Sequence, residues 1–116
     1  MAEIGRGELW WVDWSPARGS EQGGRRPALV VQSDAANRNP RYPNVIVVAV
    51  STKGRPLPFH VRLEPSAENG LAEVSFVKCE QIFTISKQRL ERRLGRLTAD
   101  QLAAVEGGLA MVLELA

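Results

Sequence analysis

Cysteine and histidine are nearly absent from this chain: Cys79 and His60 are the only examples in 116 residues. A single cysteine excludes an internal disulfide framework and agrees with a reducing compartment. With one histidine and no Cys/His/Asp/Glu set at ligand spacing, no metal site is expected. No apolar run approaches the roughly 20 residues that a membrane-crossing helix needs. The N-terminal MAEIGRGELWW has no basic segment ahead of an apolar core. No signal peptide is therefore expected, and the cytoplasm is the default location. Phosphate-binding glycine loops, dinucleotide fingerprints, repeats and low-complexity tracts are missing too, so no cofactor is expected. A chain of this length, without an evident linker, reads as one domain over residues 1–116, large enough to bury a core without staples.

Charge is present but unevenly spread. The net charge is only +2. Between residues 18 and 55 stand Arg18, Arg25, Arg26, Arg38, Arg41, Lys53 and Arg55, opposed only by Glu21 and Asp34. Such a segment is either a surface that faces a polyanion or a set of solvated loop arginines.

The apolar pattern alternates over most of the chain. ELWWVDW (8–14) puts Leu9, Trp11 and Asp13 on one face and Trp10, Val12 and Trp14 on the other. A long loop, SPARGSEQGG, leads to a second strand, PALVVQ. Ser33 or Asp34 can cap a short helical turn. VIVVAVS is apolar throughout and reads as a buried central strand. FHVRLEP alternates, with Phe59, Val61 and Leu63 inward and His60 outward. VSFVKCEQIFTI is a long fifth strand, bent or bulged. After Ser86, KQRLERRL reads as a short helix ended by Gly95. Thr98 and Gln101 match a capping box, and Leu102, Val105, Leu109 and Val112 recur at helical spacing behind it. Gly107 and Gly108 weaken that helix by about 1 kcal/mol each, which either marks a close approach or is tolerated. These elements predict a mainly β fold: a small, partly open antiparallel barrel of about five strands with helices packed on it.

The loop GSEQGGRRP carries the chemistry of interest. Its glycines expose backbone N–H groups, which together with guanidinium groups can hold phosphate oxygens. Arg26 is forced into extended backbone by Pro27 and anchored by the strand that follows. Glu21 is the loop's only carboxylate. Glu21 and Arg26 on either side of a phosphodiester would supply a proton acceptor and a charge clamp; alternatively Glu21 and Arg25 form a surface ion pair. Ser51 and Thr52 end the most buried strand, where hydroxyls serve either a phosphate or an ordinary turn. Trp14 offers a base-stacking face or packs into the core. Cys79 reads as a small apolar filler.

RGELWWVDWSPARGSEQGGRRPALVVQSD resembles the opening of the MazF/PemK (Kid) toxins, the endoribonucleases of bacterial toxin–antitoxin pairs. The resemblance continues through VVAVST, PFHV, CEQIFTISKQRL and GRLTADQLAAVE and so covers nearly the whole chain. It implies an SH3-like antiparallel half-barrel of about five strands with a C-terminal helix, assembled as a homodimer. It also implies sequence-specific, metal-independent cleavage of single-stranded RNA at short sequences, in which the 2′-OH attacks the adjacent phosphorus to leave 2′,3′-cyclic phosphate and 5′-OH ends. A cognate antitoxin with an acidic C-terminal segment would block the groove. The catalytic positions implied are Arg26, Glu21 and Ser51, with Thr52 beside it. RNA-binding candidates are Arg25, Gln22, Trp14, Arg38, Lys53, Arg55 and Gln81. Ser51 stands where the family more often has threonine, which keeps the hydroxyl. Two other readings share the fold: a CcdB-like gyrase-binding toxin and an inactive RNA-binding module. The first is disfavoured because the chain ends LELA, with no tryptophan after Trp14.

Overall fold

Alternation along residues 8–13 produces β1 (Glu8–Asp13), with Trp10 and Val12 on one face and Leu9 and Trp11 on the other. β2 (Arg25–Val30), β3 (Asn44–Ser51), β4 (His60–Leu63), β5 (Ser75–Ser86) and β6 (Leu90–Arg96) complete the strands. They form one open antiparallel sheet in the order β4-β5-β3-β2-β1-β6. A short helix α1 (Asp34–Arg38) follows β2, and α2 (Ala99–Leu113) ends the chain. The computed structural model describes residues 3–15 and 24–115; Glu21 and Gln22 lie outside them.

Both faces of the sheet are packed. One carries Leu9, Leu29, Val48, Val50, Leu63 and Val77 beneath α2, which contributes Val105. The other carries Trp10, Val12, Trp14, Ala28, Val30, Val45 and Val47, with Ile4 laid against them. The capping box forms as the spacing predicts: Thr98 Oγ1 accepts the Gln101 amide at 3.1 Å, and Gln101 Oε1 accepts the Thr98 amide at 2.9 Å. The two helix glycines differ. A Cβ at Gly108 would stand 2.6 Å from Cys79 Sγ and 3.3 Å from Phe59 Cα, whereas one at Gly107 would meet nothing within 4 Å. Gly108 therefore lets α2 approach the sheet. Cys79 is fully buried beneath it, and burial pushes the thiol pKa from 9.0 up to about 11.

The sheet does not close, but a loop bridges its two edges. After β4 the chain runs to Glu68, whose carbonyl accepts the Arg96 amide of β6 at 2.9 Å. A Cβ at Gly95 would stand 2.6 Å from the Asn69 carbonyl carbon, so glycine permits this contact. Asn69, buried, knits the loop: its Nδ2 donates to the Glu64 carbonyl at 2.8 Å, and its Oδ1 accepts the Ser66 and Leu71 amides, each at 3.0 Å.

Two expectations are corrected. KQRLERRL is not a helix: Ser86 caps a single 3₁₀ turn at Lys87–Arg89, and the chain then extends as β6 against β1, making six strands. Without β6 the outer edge of β1 would be unpaired, and that ladder outweighs the helix propensity of Lys, Gln, Arg and Leu. His60 is not a surface residue. It turns away from Val61 and Leu63, as alternation requires, but the segment ahead of β4 covers it and its side chain is 4% exposed.

Candidate active site

β2 and β3 pair through Ala28↔Ala49, Leu29↔Val48 and Val30↔Val47. This ladder stops at Ala28, next to Pro27, whose nitrogen has no hydrogen to give. Carrying the same register two residues further sets Arg26 across from Ser51, on the side of Ala28 and Ala49. Each is the penultimate or last residue of its strand end, so the backbone behind it is fixed while the side chain stands where the strands part. Arg26 is exposed and Ser51 half-buried. Ser51 Oγ accepts the Lys53 amide at 3.1 Å, which orients the hydroxyl and leaves its own hydrogen to donate.

A cavity of about 400 Å³ opens beside this fork. Arg25, Arg26, Pro27, Thr52, Trp11, Leu71, Arg92 and Leu94 are among the residues that line it. Arg25 is committed within the protein: its Nε lies 2.9 and 3.2 Å from the two Glu91 carboxylate oxygens, and that pair raises its pKa. Asp13 stands opposite Arg25 in the ladder. Its carboxyl is held below the ordinary value, first by the Ser15 amide and in smaller part by Arg25 and Arg89.

Other singled-out residues lie elsewhere. Arg55 and Gln81 line a separate cavity of about 460 Å³ with His60 and Glu80. His60 Nδ1 accepts the Arg55 amide at 3.1 Å, so the ring proton sits on Nε2, which is 2.8 and 3.0 Å from the Glu80 oxygens. This buried link holds the loop that leaves Ser51 and Thr52. Gln81 stands where β5 is irregular, between Val48↔Ile82 and Val50↔Val77. Arg38 lines a third cavity, of about 860 Å³, and pairs with Glu3 at 3.2 Å. Lys53 is exposed on the turn after β3.

The family description that matches the sequence, over residues 5–113, is "PemK-like, MazF-like toxin of type II toxin-antitoxin system". The chain belongs to this family. It is 40% identical to the Mycobacterium tuberculosis endoribonuclease MazF9 over 114 residues, covering 95% of this chain and 96% of that protein. It is 38% identical to the Bacillus subtilis endoribonuclease EndoA, covering 97% and 96%. Its fold is similar to that of MazF from Deinococcus radiodurans, with a TM-score of 0.81 and 30% identity over 98% of this chain and 99% of that one.

Within this PemK/MazF-type chain, the opening RGE serves structure. Arg6 donates from its backbone to Asp34 Oδ1 at 2.7 Å and from Nε to the Val31 carbonyl at 3.0 Å, and it pairs with Glu106 of α2 at 2.8 Å. Glu8, buried, accepts from the Gly5 amide, Trp10 Nε1 and Arg93 Nη1 at 2.7, 3.1 and 2.9 Å. Trp14 is corrected as a stacking platform. It is 6% exposed and packs edge-on to Phe83, with ring centroids 5.0 Å apart. Trp11 and Arg92, by contrast, line the cavity and were not singled out from the sequence, because Arg92 lay in the segment read as a helix. Among the described residues no group of three or more His, Cys, Asp or Glu side chains could hold a metal ion.

Proposed function

We propose that the protein is an endoribonuclease toxin that cuts single-stranded RNA at the fork between β2 and β3 and is neutralised by a cognate antitoxin. The observation that carries the reading is the β2–β3 pairing, which ends at Ala28↔Ala49 and leaves Arg26 and Ser51 each two residues beyond it, with Arg26 and Thr52 lining the cavity beside them. The family and the two endoribonuclease relatives agree with it.

The chemistry follows from what these groups can do. The RNA's own 2′-oxygen forms a bond to the adjacent phosphorus as its proton passes to a base, for which Glu21 is the candidate. The bond from phosphorus to the 5′-oxygen breaks, and that oxygen takes up a proton. The ends are a 2′,3′-cyclic phosphate and a 5′-OH. Between these states the phosphorus carries extra negative charge. Arg26, always protonated, stabilises that charge, and a hydroxyl of Ser51 or Thr52 donates to a non-bridging oxygen. No step calls for a metal. The need for a 2′-OH makes RNA, not DNA, the substrate.

The partners follow from the same surface. A related endoribonuclease from a Mycobacterial species has been solved in complex with its cognate antitoxin, at a TM-score of 0.79 and 28% identity over 96% of this chain and 95% of that one. An acidic extended segment would compete with RNA for the arginines at the fork. A homodimer acting in the cytoplasm completes the reading. The test is to incubate the purified protein with a long RNA in EDTA and to map the ends by mass spectrometry. Cyclic phosphate and 5′-OH ends are expected. Absence of cleavage, or 5′-phosphate ends, would refute the mechanism.

A further inference from the structure

Trp11 is the tryptophan whose ring meets open space. Trp10 and Trp14 are buried at 4% and 6% exposure, whereas Trp11 is half-buried and lines the cavity beside the fork. Its strand neighbours are fixed: Pro27 lies directly opposite on β2, and Arg92 directly opposite on β6. The three side chains therefore stand in a row across one face of the sheet. Leu71 and Leu94 add apolar wall, and Arg26 and Thr52 of the proposed catalytic fork share the cavity.

Among the described residues no ion pair holds Arg92. Glu91, its chain neighbour, pairs with Arg25, and Glu8 of β1 pairs with Arg93. The cavity lining carries Arg92, together with Arg26 and the Glu91-paired Arg25, and among the described residues its one carboxylate is Glu73. A slot with an aromatic wall, apolar Leu71 and Leu94 and the Arg92 guanidinium fits a planar base attached to a phosphate. Its volume of about 400 Å³ is ample for one nucleotide.

We infer that this cavity is a base subsite, in which the nucleotide next to the scissile phosphate stacks on Trp11 while Arg92 neutralises its phosphate. The inference rests on the proposed endoribonuclease reading and adds to it the group that holds the flanking base. β6 thereby belongs to the binding surface, although it contributes nothing to the fork itself.

The experiment uses fluorescence anisotropy with 5′-labelled, random-sequence single strands made uncleavable by 2′-deoxy sugars, alongside cleavage of the matching RNA. Arg92→Ala and Trp11→Leu are expected to weaken binding roughly tenfold, the scale of one stacked base or one phosphate contact. Trp11→Phe, which keeps a ring, should recover most of that loss. Arg92→Ala should also flatten the dependence of binding on salt, by about one phosphate's worth. Thermal melting establishes that each variant is folded, and Arg92, being exposed, is the variant least able to perturb the fold. A wild-type protein that binds but does not cut would count against the enzymatic reading and leave the subsite standing, provided the variants lose affinity. If the wild type cuts and Arg92→Ala and Trp11→Leu bind and cut as it does, the subsite alone is overturned. Absence of binding by the wild type overturns both.

Discussion

Asp34 ties the N-terminal segment to the first helix. Its Oδ1 accepts the Arg6 amide at 2.7 Å and Asn37 Nδ2 at 3.3 Å. These contacts, the Arg6 amide first, hold its carboxyl below the ordinary 3.8. A depressed carboxyl contributes stability that is present above its unfolded pKa and lost as pH falls through the folded one. Wild-type protein should therefore exceed Asp34→Asn in urea stability near neutral pH, and the gap should close as pH falls below about 4. A gap that stays constant over that range would show that the carboxylate charge is not what matters there. At the same scale Pro27 has two effects: it forces Arg26 into extended backbone, and it coincides with the end of the β2–β3 ladder.

Among the elements, α2 gives the sharpest contrast. Gly107→Ala should raise stability by about 0.5–1 kcal/mol, because the position is open and alanine is the better helix former. Gly108→Ala should cost about 1–3 kcal/mol, because its methyl would press on Cys79 Sγ. Equal effects from the two substitutions, read from denaturant midpoints, would contradict this packing. The sequence distinguished neither glycine, since both interrupt the same periodic run. It was equally silent on β6. Leu90 and Leu94 are spaced as on a helix, and only the unpaired edge of β1, far away in sequence, makes the segment extended. Where the pattern depends on neighbours within the element, as in β1, β3 and the Thr98 capping box, sequence and structure agree. His60 shows the limit from the other side. Alternation gave its face correctly, but not the loop that buries it against Glu80.

For the molecule as a whole, the open sheet is what assembles the site. Arg26 and Ser51 are far apart in sequence and come to the same end of the sheet only because β2 and β3 are neighbours; Trp11 and Arg92 stand opposite one another only because β6 pairs with β1. The first juxtaposition was legible in the sequence as a condition on strand order, and the second was hidden by the misread helix. The proposed cleavage depends on Arg26 stabilising charge at the scissile phosphorus. Single-turnover cleavage of one defined RNA by wild-type protein and by Arg26→Ala tests it most directly. A fall of about 10²–10³-fold in the rate constant, with RNA affinity changed far less, is the outcome predicted for loss of a transition-state charge clamp. A rate constant within twofold of wild type would contradict it.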